Sequence, residues 1–385
     1  MKPKLRFKQF NSGWNTYKFY DLVTIKNGQV NPNDEQYRNL PHIGPGNIEK
    51  GTGRLLEYNL AKDDKLVSSK YLFDKESVIY GKINPHFAKV CYPKFIGLCS
   101  ADAYPINPIK DKLTPEFLLY LLLNPKFTKF TTSVSMRTGM PKINRDELSI
   151  YKFTIPEIDE QKEIGNMLSL LDRKIELQTK KIEDLKLFKL YITNQLLSSN
   201  ITDTVPISNL GEIVTGTTPS KDKIQYWQNG DILWVTPSDI NEERDINNSN
   251  SKLTEEGLKK GRFIPKDSIL VTCIASIGKN AVIKSNGSCN QQINAIIPNS
   301  NYNCNYIYYL INNISKYMQS IAGTSATSII NKEQFSNLLV SVHNKTYQDK
   351  IDLILSSFEK KIELELLKLN KFQNIKKGLM QNMFV

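Results

Sequence analysis

None of the residue groupings in this 385-residue chain that suggest covalent chemistry has the spacing of a complete active site. No G-x-G-x-x-G follows a strand pattern and no G-x-x-x-x-G-K-[ST] occurs. Ile277-Gly278-Lys279 lacks the upstream glycine that would let backbone amides cradle a phosphate. No Asn-Pro-Pro-aromatic or Asp-Pro-Pro-aromatic tetrapeptide is present, which removes the usual loop of an amino-methyltransferase. Asp159, Glu160 and Lys162 imitate a nuclease carboxylate cluster, but they stand at a helix start, where acidic side chains suit the dipole and need no other role. His42, His86 and His343 fall at non-equivalent places in the repeat described below, so they share no acid/base role. The five cysteines form no C-x-x-C pair, and with three histidines they give no metal-ligand spacing. Cys91, Cys99, Cys273, Cys289 and Cys304 read as reduced, mostly buried thiols of a cytoplasmic protein.

What remains is noncovalent recognition. Long polar and basic side chains cluster on loops at corresponding places in the two halves of the chain. One set follows a central strand pattern: Lys82, Asn84, His86 and Lys89 in the first half, Ser276, Lys279 and Asn280 in the second. Another precedes a long helix: Arg137, Lys142, Asn144 and Arg145, then Thr327, Ser328, Asn331 and Lys332. The second half adds the loop Gly216 to Lys221, with Thr218, Ser220 and Lys221, ahead of Tyr226 and Trp227. Such side chains suit groove readout of a duplex: Arg or Lys for guanine edges, Asn or Gln for adenine, and Ser, Thr or Lys for phosphates. A solvated loop surface accounts for any one of them equally well. Asn144 and Asn331 also suit turn caps, Gln291 and Gln292 suit internal hydrogen bonding beside a strand, and Trp227 and Trp234 read as core. The net charge of +12 and pI near 9.2 fit a polyanionic partner, although lysine-rich composition alone produces both.

The elements that must hold these loops are legible as a duplication. From Asp159 to Leu197 no proline interrupts a heptad seam of Ile164, Leu168, Leu171, Ile175, Gln178, Ile182, Leu185, Lys189, Ile192 and Leu196. Adding 187 to each seat gives Ile351, Leu355, Phe358, Ile362, Glu365, Leu369, Phe372, Lys376, Leu379 and Met383, with polar residues at the same two places. A helix of about 58 Å needs an equally long partner, so the two predict an antiparallel pair serving as a spacer. Ahead of each helix the landmarks repeat: Tyr20 to Gly28 with Ser208 to Gly216, Leu40 to Ile48 with Ile232 to Ile240, Asp74 to Ile83 with Pro265 to Ile274, and Ile143 to Leu148 with Ile330 to Phe335. Strands are expected at Ser77 to Tyr80, Ser268 to Thr272, Ala281 to Lys284 and Ile293 to Ile297, and short helices at Pro115 to Leu123 and Asn305 to Ala322. Strand order does not follow from these patterns. Leu5, Phe7, Phe10 and Trp14 of the lead-in either meet a neighbouring protein or cap the first domain. No apolar run approaches a membrane span, and the basic start from Met1 to Phe10 lacks an apolar core, so nothing suggests export.

These residues carry a resemblance. Pro3 to Trp14, Gly216 to Ile240, Asn290 to Pro298, and Pro156 to Ile164 with its twin His343 to Ile351 resemble the specificity subunits of type I restriction-modification systems over nearly the whole chain. The chain departs from that pattern at His343, where proline is usual, and at KNGQVNP, which replaces G-T-T-P-S in the first half. The resemblance implies a mixed α/β fold: two tandem target-recognition domains related by internal duplication and separated by two long helices pairing as an antiparallel coiled coil. The segments are then 1–16, a lead-in; 17–156, the first domain; 157–199, the first spacer helix and linker; 200–343, the second domain; and 344–385, the second spacer helix. It also implies a non-catalytic DNA-binding subunit whose domains each read one half of a bipartite asymmetric site in double-stranded DNA. Two methyltransferase subunits would dock on the helix pair, and restriction/translocase subunits would complete the enzyme. S-adenosylmethionine, Mg and ATP are expected on those partners and none in this chain. The alternative from the residues alone is a two-site nucleic-acid-binding scaffold outside restriction-modification.

Overall fold

β-branched runs bounded by Gly, Asn and Pro fold as short strands, and their hydrogen bonds repeat from one half of the chain to the other. The structure is a computed structural model that describes residues 2–135, 139–241, 243–322 and 328–385. It divides into unit 1, Met1–Lys180 with Leu367–Val385, and unit 2, Lys181–Leu366. Each unit thus takes in its own end of both long helices.

Unit 1 contains β1 (Asn15–Lys18), α1 (Phe19–Leu22), β2 (Val23–Ile25), β3 (His42–Ile43), β4 (Tyr71–Phe73), β5 (Val78–Gly81), β6 (Val90–Cys91), β7 (Gly97–Cys99), β8 (Ala103–Pro108), α2 (Pro115–Leu123), α3 (Pro125–Ser135), α4 (Arg145–Ser149) and β9 (Lys152–Ile155). The long helix α5 (Ile158–Ser198) starts here. Unit 2 contains β10 (Asp203–Pro206), β11 (Gly211–Thr215), β12 (Ile232–Val235), β13 (Asp245–Ile246), β14 (Ser251–Leu253), α6 (Glu255–Leu258), β15 (Ile269–Thr272), β16 (Asn280–Ile283), β17 (Gly287–Cys289), β18 (Ile293–Pro298), α7 (Cys304–Ile321), α8 (Lys332–Ser336) and β19 (Leu339–Val342). From it runs α9 (Lys345–Asn382).

The sheets of unit 1 run β2-β8-β5-β6, β3-β7-β4 and β1-β9; those of unit 2 run β11-β18-β15-β16-β13, β14-β12-β17 and β10-β19. Register makes the correspondence residue by residue. Gly81 faces Ala103 as Thr272 faces Ile293, and Ile25 faces Ile106 as Ile213 faces Ile296. The parallel contact between β3 and β7, with Ile43 opposite Cys99, returns as Val235 opposite Cys289. At the start of each of these inner strands a glycine is required. A Cβ on Gly97 would stand 2.6 Å from the Phe73 ring, and one on Gly287 would stand 2.7 Å from the Leu233 carbonyl.

Between its sheets and the long helices, unit 1 is filled by α2, whose residues from Phe117 to Leu123 are all buried. It packs with Val78, Tyr80, Ile106, Ile164 and Leu168 and with Met380, Met383 and Phe384 at the end of α9. Each such apolar side chain contributes about 1.5–3 kcal/mol when fully buried. The lead-in belongs to this unit. Trp14 is buried in the same core, the Leu5 amide donates to the Asn382 carbonyl at 2.9 Å, and Arg6 makes two hydrogen bonds to Glu160, at 2.7 and 2.6 Å. Of the two expectations for this segment, the capping one describes what Trp14 does. Glu160 is thereby paired, and Asp159 meets Lys162 at 3.0 Å.

The seam positions of α5 and α9, including Leu171, Ile175, Leu185, Phe358, Leu369 and Phe372, are buried or half-buried. The helices pair antiparallel. In unit 1 Lys376 meets Asp172 at 2.5 Å, and in unit 2 Glu365 meets Lys181 at 2.9 Å and Glu359 meets Lys189 at 2.6 Å. Three of the four polar interruptions of the heptad pattern are therefore ion-pair positions. Phe358 packs edge-on to Phe188 in unit 2 at 5.6 Å.

Both helices are stapled to their units by a twinned glutamine. Gln161 accepts from the Thr114 amide at 3.1 Å and donates to the carbonyls of Lys112 and Pro156, both at 2.9 Å. Gln348 accepts from the Asn303 amide at 3.1 Å and donates to the carbonyls of Asn301 and His343 at 3.3 and 2.8 Å. Cys91, Cys99, Cys273 and Cys289 are buried, and burial pushes the matched thiols Cys99 and Cys289 up to about 12.

Candidate nucleic-acid interface

Strand direction sends one set of loops to one edge of each unit. In unit 1 β2 and β5 both run antiparallel to β8, so their C-terminal ends lie beside its N-terminal end. The Lys26 amide donates to the Pro105 carbonyl and the Lys82 amide to the Asp102 carbonyl. The segment Pro141–Arg145 joins them, since Asn84 donates to Pro141 and Ile143 donates to Lys82. Unit 2 repeats three of these bonds, Cys273 donating to Gln292, Ala275 to Ser328 and Ile330 to Cys273, while on the β11 side Gly216 donates to Ile293, two residues further along the strand. Gly81 donates to Lys89 as Thr272 donates to Lys279.

That register decides which side chains correspond. Lys89 matches Lys279 and Arg145 matches Lys332, whereas Lys82 matches Cys273, Asn84 matches Ala275 and Lys142 matches Ile329. Asn84 and Ala275 both take positive φ, at 49° and 62°. Asn280 matches Val90 and is not a loop residue. It lies on β16, 4% exposed, with its amide on the Asn312 carbonyl oxygen at 3.0 Å.

Of the residues singled out from sequence, His86, Lys142, Ser220, Lys221, Lys279 and Lys332 are exposed on these loops, and Asn84, Thr218, Ser276 and Ser328 are half-buried there. Arg137 and Thr327 lie outside the described residues. Several of the set hold the loops themselves. Asn144 accepts from the Glu147 amide at 2.8 Å and Glu147 returns the bond; Asn331 and Gln334 do the same, the reciprocal box that an Asn three residues before Glu or Gln favours. Lys89 donates to the Pro45 carbonyl, and Arg145 donates to the Lys26 carbonyl at 2.8 Å and to Asn27. In unit 2 Trp234 donates to the Thr217 carbonyl at 3.1 Å and Trp227 to the Ser220 carbonyl at 3.0 Å. The two rings lie edge to face at 4.9 Å and so brace the loop Gly216 to Lys221.

The edges differ in character. Unit 1 carries Lys82 and Arg145 over the Tyr104 ring, at 5.0 and 5.5 Å from its centroid, and Lys50 and His86 on the Phe87 ring, at 3.7 and 4.1 Å. Unit 2 has an open cleft of about 530 Å³ lined by Thr218, Lys221, Trp234, Thr236, Asn290 and Gln291 among others, with Thr218 donating to Gln291 at 2.6 Å. Sequence reading missed Lys50, Tyr104 and Asn290. They lie on segments that are distant in sequence and join this edge only through the sheets. Among the described residues no three His, Cys, Asp or Glu side chains are grouped as metal ligands, and no helix is long and apolar enough to cross a membrane.

A family model described as "Type I restriction modification DNA specificity domain" matches residues 11–187 and again 202–374. The type I restriction enzyme EcoDI specificity subunit of Escherichia coli is 35% identical over 153 residues, which are 40% of this chain and 33% of that subunit. The match thus spans a third of that relative's length. The HindI specificity subunit of Haemophilus influenzae is 23% identical over 440 aligned positions, covering 91% of this chain and 94% of that one. Among solved structures, the S subunit of a type I restriction-modification system from M. genitalium superposes with a TM-score of 0.64 at 15% identity. It covers 100% of this chain and 99% of that one, a likeness of fold.

Proposed function

This chain belongs to the type I restriction-modification DNA specificity family, and on that premise we propose that it is the non-catalytic subunit that reads DNA for a type I restriction-modification enzyme. Each unit takes one half of a bipartite, asymmetric site in a duplex through its loop edge. The observation that carries this reading is the pair of edges built on one hydrogen-bond frame and lined by different side chains: Asn84 and Lys142 in one, Ala275 and Ile329 at the matching positions of the other. A shared frame positions both readers alike on the phosphate backbone, while different linings select different bases.

The helix pair sets the gap between the half-sites and docks two methyltransferase subunits. Its off-seam residues Leu177, Leu187 and Leu364 are 59%, 68% and 51% exposed and offer apolar contacts to such subunits. Those subunits and the restriction subunits supply S-adenosylmethionine, Mg and ATP. The assembly works in the cytoplasm, where the host's DNA is.

The test is base-resolution mapping of N6-methyladenine in a host expressing this chain with its methyltransferase subunit, compared with the same host carrying a disrupted copy. Loss of one split motif with a fixed gap is expected. A methylome unchanged by the disruption, with the methyltransferase subunit shown to be active, would remove the proposed function.

A further inference from the structure

The two edges differ most at one matched pair of positions. In unit 2 Cys273 and Asn294 are neutral and bonded to each other, with the Asn294 amide on the Cys273 sulfur at 3.2 Å and its oxygen accepting from Thr215 at 2.7 Å. In unit 1 the same positions hold Lys82 and Tyr104. The lysine is 8% exposed, its stem buried and its ammonium 5.0 Å from the ring centroid. Arg145 sits over that ring too, and Lys142 is on the segment bridged to Ile83. Among the described residues no carboxylate forms an ion pair with Lys82, Lys142 or Arg145, and Asp102 is the acidic group that acts on Lys82. Burial and the neighbouring Lys142 and Arg145 hold the Lys82 ammonium below the usual lysine range, with Asp102 opposing them. Two cations ordered over one aromatic ring, with Lys142 on the adjoining segment and Asp102 alone opposing them, leave a local excess of positive charge that an incoming oxyanion would relieve. Unit 2 retains only Lys332 of this cluster.

Building on the DNA-reading function above, we propose that Lys82, Lys142 and Arg145 form a clamp for one backbone phosphate of the DNA half-site read by unit 1, and that unit 2 has no counterpart. Lys82 is the group that distinguishes the clamp, because its position is fixed by the buried stem whereas Lys142 is a solvated side chain. Unit 1 then holds its half-site with a larger share of counterion release, and unit 2 depends more on its amide-lined cleft.

The experiment uses the full chain with its methyltransferase subunit and a duplex carrying the mapped motif, scanned with single neutral methylphosphonate substitutions. For the wild-type chain, one phosphate in one half-site should cost about tenfold in affinity when neutralised. Lys82→Met should lose about the same, reduce the salt slope by about one, and leave the methylated motif unchanged, and neutralising that phosphate should cost the variant nothing more. Lys82→Arg should restore both affinity and slope. The clamp is overturned if Lys82→Met binds with wild-type affinity and slope, or if it changes the motif, which would make Lys82 a base reader. If Lys82→Met fails to fold, the scan of the wild-type chain still decides, since the absence of a charge-sensitive phosphate in either half-site sinks the idea. A wild-type complex that protects no split motif would instead remove the DNA-reading function itself, a failure visible before any variant is made.

Discussion

His343 stands where the first half of the chain has Pro156, and its surroundings fix its protonation. It is 2% exposed. Nε2 faces the Ser199 carbonyl at 2.9 Å and so carries the proton, and Nδ1 accepts from the Tyr306 hydroxyl at 2.7 Å. Burial lowers its affinity for a second proton, opposed in part by the bond to Ser199. A histidine with a depressed folded-state pKa contributes stability that is complete above its ordinary value of 6.5 and is lost as pH falls through the folded value, because the unfolded chain takes up the proton first. The denaturant midpoint of the wild-type chain should therefore fall more between pH 7 and pH 5 than that of His343→Asn. Parallel curves would show that the imidazole does not titrate on unfolding in that window. The departure from proline was visible in the sequence; its use as a tie between the linker and α7 was not, because Tyr306 and Ser199 meet it only in three dimensions.

At the scale of the element, the polar seats of the heptad pattern explain how the helix pair and each unit hold together. Lys376 meets Asp172, donates to the Thr52 carbonyl at 2.9 Å and lies 5.8 Å from the Tyr120 ring, while Tyr120 donates to Asp172 at 2.9 Å. Unit 2 repeats the group with Lys189, Glu359 and Tyr309 and adds Arg244, which reaches Glu359 at 2.9 Å and Tyr309 at 3.1 Å. An apolar residue at Lys376 would leave the half-buried Asp172 without its ion-pair partner, whereas at Lys189 it would leave Glu359 still paired with Arg244. Lys376→Leu should cost about 2 kcal/mol in unfolding free energy, and adding Asp172→Leu should recover most of the loss, since an apolar pair replaces an ionic one at little net cost. A single variant as stable as the wild type would show that the pair contributes nothing in solution. The interruptions were legible as a repeated pattern. Their partners were not, because Asp172 lies off the seam and Tyr120 on another helix.

For the whole molecule, the half-site spacing proposed above rests on the continuity of α5 and α9 from one unit into the other. Four residues inserted into both helices, near Gln178 and Glu365, add about one turn, or roughly 6 Å, while keeping each seam in phase to within a fraction of a turn. Methylome mapping should then return the same two half-sites with a longer gap. Altered half-sites would mean that the helices shape the reading edges as well as separate them.

The sequence by itself determined the duplication, the two long helices with their polar seats, four of the inner strands (β5, β15, β16 and β18), and the loops on which recognition was to be sought. These are properties of local periodicity and of comparison along the chain, and both are written in residue order. Tertiary structure alone decided the strand order and, through it, which loop residues share an edge. Strands of three to six residues such as β2, β5 and β8 carry too little pattern to choose their neighbours, and register follows from packing against α2 and α7. It also separated side chains that stand exposed on the edge from those that hold a loop in place. Asn144 and Asn331 cap, Asn280 is internal, and Lys82 and Cys273 occupy one position with opposite character. A residue type states what bonds a side chain is able to make, whereas the fold decides which of those bonds are already made and which are left open.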